Sequence, residues 1–241
     1  MELKTCHLYP DALNLYGDRG NILSLRRRME ARGLSFSIQE SPIGDRTSIA
    51  DADIYFIGGG QDFEQKLLLD DLNTGKKESI KSAVMDGKVF LTICGGYQLL
   101  GHYYKMQDGT TCEYIGALDI YTEAGSRRMI GNTACLSESL GEIAGFENHA
   151  GKTYLGKNVV PLGKVIYGGG NNGEDGTEGA RFLGVYGTYY HGPVLPKNPA
   201  LCDEIILSAL MRKYGKADLS PLHDEDENRA RNAVLKRFGK Q

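Results

Sequence analysis

Residues 89–101 read Val89-Phe90-Leu91-Thr92-Ile93-Cys94-Gly95-Gly96-Tyr97-Gln98-Leu99-Leu100-Gly101. The first five form an apolar run of the kind that fills a strand buried on both faces. The segment Tyr97–Tyr104 behind it has helical apolar spacing. Between the two stands a cysteine followed directly by two glycines. A sharp strand-to-helix turn needs residues without side chains beside the turning position, and it points the thiol of that position away from the sheet. The stretch therefore predicts strand, tight turn with cysteine, and helix.

Working outward, the same alternation recurs upstream. Leu3–Leu8 is a short strand. Asp18-Arg19-Gly20-Asn21 introduces a helix with Ile22, Leu23, Leu25 and Met29 on its apolar positions and Gly33 as its stop. Leu34–Ile38 alternates as a strand, Asp53–Ile57 is an apolar strand running into Gly58-Gly59-Gly60, and Ser79–Met85 is a helix. Strand and helix in alternation predict a parallel sheet covered on both faces, with ligands bound beyond the carboxyl ends of the strands. After about residue 110 the pattern turns to strands: Ile115–Tyr121, Met129–Leu136, Thr153–Leu155 and Phe182–Gly187. Pro199–Lys213 is helical, and a charged helix follows Asp224. The reading is one domain over residues 1–220 with a charged helical extension over 221–241.

The composition excludes several classes. With 241 residues, 41% hydrophobic and 24% charged, the chain has the make-up of a folded globular protein. A net charge of −3 provides no basic field for nucleic acid or an anionic membrane. No apolar run reaches the roughly 18 residues of a membrane span, and the start lacks a secretory h-region, which implies a cytoplasmic protein. Five cysteines without a CxxC point to neither a disulfide framework nor zinc, and no metal site is expected. Glycine, 32 of 241, is about twice its usual share.

The chemistry concentrates at Cys94, the one cysteine held in a strand–turn–helix; Cys6, Cys112, Cys135 and Cys202 read as structural thiols. A thiol nucleophile needs a base within hydrogen-bond reach. His191 follows a strand in Gly187-Thr188-Tyr189-Tyr190-His191-Gly192-Pro193, so it reaches the same sheet edge and is the base candidate. His149 is the second choice, while His102, behind the helix that follows Cys94, and His223, in the charged tail, are given no role. Acyl transfer also needs donors aimed at a developing oxyanion. The Gly95 amide and the Gly60 amide of the loop after the neighbouring strand are the candidates. Neither Gly58–Gly60 nor the loop 168–176 ends in the Gly-Lys-Ser/Thr of a phosphate-binding loop. The latter reads as either a mobile lid or a solvated loop. Residue types alone thus reach a cysteine-dependent hydrolase or acyl transferase.

Leu13-Asn14-Leu15-Tyr16-Gly17-Asp18-Arg19-Gly20-Asn21, Gly58-Gly59-Gly60-Gln61-Asp62, the turn at Cys94, and His191-Gly192-Pro193 with Lys197-Asn198-Pro199 together resemble the class I, or triad-type, glutamine amidotransferases, in the branch of the cobyric acid synthase glutaminase domains. The length, the run 58–65, Arg128-Met129-Ile130-Gly131-Asn132 and Gly145-Phe146-Glu147-Asn148-His149-Ala150-Gly151 are most similar to the glutaminase subunits of lipid II isoglutaminyl synthases. The resemblance implies an α/β, flavodoxin-like fold with a doubly wound, mainly parallel sheet. It implies hydrolysis of L-glutamine through a cysteinyl thioester, with Cys94 as nucleophile, His191 as base and Gly60 and Gly95 as oxyanion donors. Arg128 would hold the glutamine, since a guanidinium fork pairs bidentately with a carboxylate; Arg127 is the alternative. Ammonia would pass, within a heterodimer, to a Mur-ligase-like subunit that uses ATP and Mg²⁺ to amidate the D-glutamate α-carboxylate of the peptidoglycan stem peptide. No cofactor is implied in this chain.

The sequence departs from the family pattern at Pro193, where many triad enzymes carry a glutamate. Either the site is a Cys–His dyad, or an acid comes from elsewhere in the chain or from the partner; the expectation is the partner. The rival readings are a cobyrinate-type glutaminase component, a thiol hydrolase of the same fold, and a binding subunit with a vestigial site.

Overall fold

The computed structural model describes residues 1–60 and 68–238; residues 61–65 of the glycine run and the end of the tail from 239 lie outside the described residues. Strand β1 (Glu2–Leu8) leads through a loop into helix α1 (Gly20–Glu30), then β2 (Ser35–Ser41), β3 (Ile54–Ile57), α2 (Lys77–Met85), β4 (Val89–Ile93) and the short helix α3 (Gly95–Leu99). Every residue of β3 and β4 is buried, as their unbroken apolar composition requires of central parallel strands. With β11 (Ala180–Phe182) and β12 (Val185–Thr188) they form a six-stranded sheet in the order β11-β12-β4-β3-β1-β2. All its pairings are parallel except β11 with β12. This is the flavodoxin-like order, whose switch point lies at the carboxyl ends of β1 and β3.

The rest of the β structure is a second sheet. Strands β7 (Ile120–Ser137) and β8 (Gly141–Leu155) make a long antiparallel hairpin, flanked by β5 (Tyr103–Lys105), β6 (Thr111–Glu113), β9 (Gly163–Tyr167) and β10 (Thr177–Glu178). The hairpin register breaks between Ala124 and Met129, so that residues 125–128 bulge out opposite Ala150. The isolated bridge between Phe146 and His191 joins this sheet to the carboxyl edge of the first.

Three sequence expectations are corrected. The helix expected over Tyr97–Tyr104 stops at Leu99, because the chain beyond it bonds to the second sheet: the His102 amide donates to the Ile120 carbonyl and its carbonyl accepts from Tyr114. Ile115–Leu118, read as the start of a strand, instead supplies amides to the carbonyls of Leu99 and Leu100. Phe182–Gly187 is two strands, not one. The chain turns at Leu183, in the left-handed region at φ 49°, and a Cβ on Gly184 would lie 2.5 Å from the Lys88 carbonyl.

The glycine loop 168–176 is buried at its centre, residues 170–172, and exposed over residues 173–176. Asn171 and Asn172 are buried, the Asn171 carbonyl accepts from Thr153, and Asn172 Nδ2 donates to the Thr153 carbonyl. The Glu147 carboxylate accepts the amides of Gly169 and Gly170 at 2.8 and 3.1 Å. Helix α4 (Pro199–Tyr214) packs beside α1, and the charged helix of the tail is α5 (Glu225–Leu235). Buried Arg28 of α1 joins both regions, with Nε 2.6 Å from Asp203 and Nη1 2.6 Å from Asp224. Among the described residues no helix is long and apolar enough to cross a membrane.

His7 on β1 is fully buried, lies 5.1 Å from Phe56 with the rings tilted at 51°, and neither of its ring nitrogens has a partner among the described residues. Burial, helped by the Arg19 charge and opposed by Asp11, pushes its pKa down to about 4. As the pH falls below the ordinary value of about 6.5 the unfolded chain takes up this proton first, so the neutral ring's contribution is intact above that pH and is lost towards pH 4. Wild type should therefore lose stability relative to His7→Phe between pH 7 and pH 4. A constant difference between their urea midpoints across that range would contradict the lowered pKa.

Candidate active site

Four loops converge at the carboxyl edge of the parallel sheet: residues 9–18 after β1, Gly58–Gly60 after β3, Cys94 after β4, and residues 189–193 after β12. Cys94 sits at φ 48° and ψ −107°, a conformation that costs a non-glycine residue about 1–3 kcal/mol. It is fixed on both sides, since its amide donates to the Thr188 carbonyl at 2.8 Å and its carbonyl accepts from the Gln98 amide at 2.9 Å. The glycines beside it are needed for space. A Cβ on Gly96 would lie 2.6 Å from the Ile57 carbonyl oxygen and 2.7 Å from that of Gly58. The tight turn anticipated from residues 89–101 is thus present, and Cys94 is 7% exposed.

His191 is buried at the same edge, anchored by its amide to the Phe146 carbonyl at 2.7 Å. Its Nδ1 lies 3.2 Å from Asp18 Oδ2; a carboxylate oxygen accepts, so Nδ1 carries the proton and Nε2 is left for the thiol. Nε2 is buried and has no full hydrogen bond, but Cys94 is near enough to act on the ring. Burial disfavours the charged imidazole; the hydrogen bond to Asp18, the nearby Cys94 thiol and the charges of both outweigh it and push the His191 pKa up to about 10.

Asp18 places an acid of this chain beside the imidazole, the alternative that stood next to supply by the partner. It is fully buried, and the same oxygen that meets His191 accepts the Gly59 amide at 2.9 Å. A buried carboxylate carries a desolvation penalty of several kcal/mol, so its placement marks a functional position. Asp18 lies within the run 13–21 singled out in the sequence. What hid its role was the usual spacing, two residues past the histidine, where Pro193 stands. An acid in the loop after the first strand of a parallel sheet is the signal that could have found it, since that loop reaches the same edge.

The other expected residues fall as follows. The Gly58 carbonyl accepts from Gly96, and both polar groups of Gly59 are engaged, its carbonyl by the Leu15 amide at 3.1 Å. Gly60 is half-buried beside them, and Gly95 opens α3. Arg127 and Arg128 are both exposed on the hairpin bulge. Only Arg128 is bound towards the site: its Nε donates to Asn148 Oδ1 at 2.7 Å, and Asn148 Nδ2 donates to the Tyr16 hydroxyl. Tyr16 meets the His191 ring edge-on at 4.9 Å. His149 is no base in this arrangement. It stacks on Tyr189 at 3.6 Å, is bonded through Nδ1 to the Gly151 carbonyl, and burial holds its pKa down to about 4. His102 is exposed beside Asp119, and Cys6, Cys135 and Cys202 are buried with pKa values pushed up to about 12 by burial.

Two predictions follow from this geometry. Asp18→Asn removes the negative charge that favours the imidazolium, so the His191 titration followed by NMR should move to lower pH; an unmoved titration would remove Asp18 from the role. Gly59→Ala places a Cβ 2.3 Å from His191 Cε1 and should displace the base. The loss expected of a general base is about 10²–10⁴-fold in the rate of the reaction it serves, and a wild-type rate would contradict the contact.

Residues 4–199 match the CobB/CobQ-like glutamine amidotransferase domain. Two curated relatives, both the subunit GatD of lipid II isoglutaminyl synthase (glutamine-hydrolyzing), are each 41% identical to this chain. The one from Staphylococcus aureus aligns over 100% of this chain and 98% of its own length, and the one from Streptococcus pneumoniae over 93% and 86%. A crystal structure of a glutamine amidotransferase superposes with a TM-score of 0.60 at 18% identity, covering 85% of this chain and 98% of that one, which supports the fold. On the domain match and the end-to-end similarity, the chain belongs to the CobB/CobQ-like glutamine amidotransferase family, in its GatD group.

Proposed function

We propose that this chain is the glutaminase subunit of a lipid II isoglutaminyl synthase. The observation that carries the chemistry is the meeting of a strained cysteine and a carboxylate-anchored histidine at the switch-point edge of a flavodoxin-like sheet. The amidated product is carried by the relatives' name.

In this reading the Cys94 thiol gives its proton to His191 Nε2, and Sγ attacks the side-chain carbonyl carbon of L-glutamine. The Gly95 and Gly60 amides face the oxyanion, and strengthening of those bonds as charge develops lowers the barrier. The proton on His191 Nε2 goes to the departing nitrogen, ammonia leaves, and a cysteinyl thioester remains. His191 then takes a proton from water, whose oxygen attacks the thioester; glutamate is released and the thiol restored. Asp18 keeps the imidazole in one tautomer and steadies its charge. Arg128 takes the α-carboxylate of the substrate through its free donors.

The second half of the reaction lies outside this chain. Amidation requires an activated carboxylate, and a Mur-ligase-like partner with ATP and Mg²⁺ fits that requirement. It would pass ammonia to the D-glutamate α-carboxylate of the stem peptide, in a cytoplasmic heterodimer in which this subunit needs no cofactor of its own.

Because nucleophile, base and orienting acid all come from one chain, the purified subunit should release ammonia from L-glutamine by itself, and Cys94→Ala and His191→Ala should each abolish it. Added synthetase partner and lipid II should give amidated lipid II. Release that survives Cys94→Ala would overturn the mechanism, and activity only with the partner present would return the missing element to the partner.

A further inference from the structure

Tyr16 stands out because it is strained, half-exposed and bonded at the same time. Its backbone is left-handed at φ 55°, a region a bulky residue rarely adopts, and its side chain is 48% exposed. Such a conformation persists only when its surroundings hold it. The residues around it do: the Leu15 amide donates to the Gly59 carbonyl at 3.1 Å, and Asp18 Oδ2 accepts the Gly59 amide at 2.9 Å. Residues 15–18 therefore hold Gly59 by both its amide and its carbonyl. Tyr16 itself projects to His191, with its ring at 4.9 Å and 65°, and to Phe146 at 6.2 Å.

The polar end of Tyr16 continues a relay of fixed polarity. Arginine can only donate, so Arg128 Nε fixes the Asn148 amide with Oδ1 towards it, and Nδ2 is thereby turned to donate to the Tyr16 hydroxyl. Arg128 lies on the β7–β8 bulge, and Tyr16 lies in the loop after β1, so two parts of the fold far apart in sequence meet at Asn148.

We propose that Tyr16 is a positioning residue that ties recognition of the substrate carboxylate at Arg128 to the placement of His191. The proposal rests on the assignment of this site to glutamine hydrolysis and of Arg128 to the α-carboxylate. A carboxylate on the Arg128 fork fixes the guanidinium, Asn148 carries that order to the Tyr16 hydroxyl, and the ring then holds its edge against the imidazole. Substrates that lack the carboxylate do not engage the relay.

Tyr16→Phe keeps the ring and removes only the hydroxyl. In a glutaminase assay its kcat for L-glutamine should fall roughly three- to tenfold, the range for one neutral hydrogen bond, because the base is no longer placed when the carboxylate binds. Asn148→Ala should lower kcat by a similar factor, and the double variant should be no worse than either single one, because both break the same relay. Iodoacetamide, which has no α-carboxylate, should alkylate Cys94 in Tyr16→Phe at the wild-type rate. An unchanged kcat, factors that multiply in the double variant, or slowed alkylation would each overturn the proposal. If wild type releases no ammonia from glutamine, the glutaminase assignment itself falls; if wild type is active and Tyr16→Phe is identical to it, only the role of Tyr16 falls.

Discussion

One oxygen atom, Asp18 Oδ2, accepts from two donors on which the rest of the site depends: the ring of His191 and the peptide of Gly59. The first contact sets the tautomer and favours the charged imidazole; the second fixes the loop that follows β3. Both are buried, where a hydrogen bond to a charged group is worth about 1.5–3 kcal/mol and its loss leaves the partner unsatisfied. The loop after β1 is thereby made part of the active edge, although it supplies neither nucleophile nor base.

The glycines around this carboxylate follow from how closely backbone and catalytic groups approach. Gly59 leaves room for the imidazole, Gly96 for the carbonyls of Ile57 and Gly58, and Gly187 for the ring of Tyr97, which a Cβ there would approach to 2.4 Å. The high glycine content that the composition shows is concentrated in part where strands end and chemistry begins. The left-handed Cys94 is held by the backbone bonds of its two neighbouring elements, β12 and α3.

The antiparallel sheet does the complementary work. Its long hairpin reaches the active edge through the Phe146–His191 bridge, and its bulge turns Arg128 to Asn148 and so towards Tyr16. The loop 168–176, which in sequence reads as either a mobile lid or a solvated loop, supports the hairpin through its buried centre, tied down by Glu147 and by the side chains of Asn171 and Asn172.

The parallel half of the fold was legible in sequence because its signals are local: buried apolar runs at β3 and β4, a glycine pair behind Cys94, and strand–helix alternation before residue 105. The pairing of Cys94 with His191 was legible for the same reason, since both follow strands of one sheet. What tertiary structure alone decided depends on contacts between distant segments. The register of β7 with β8 creates the bulge that presents Arg128; bonds from His102 to Ile120 and Tyr114 end α3 early; and Asp18, 173 residues from His191, becomes its partner only when β1 and β12 lie in one sheet. Local composition specifies which residues turn, pack or react, but the partner of a side chain is set by strand order and register, and these are fixed only when the whole core is assembled.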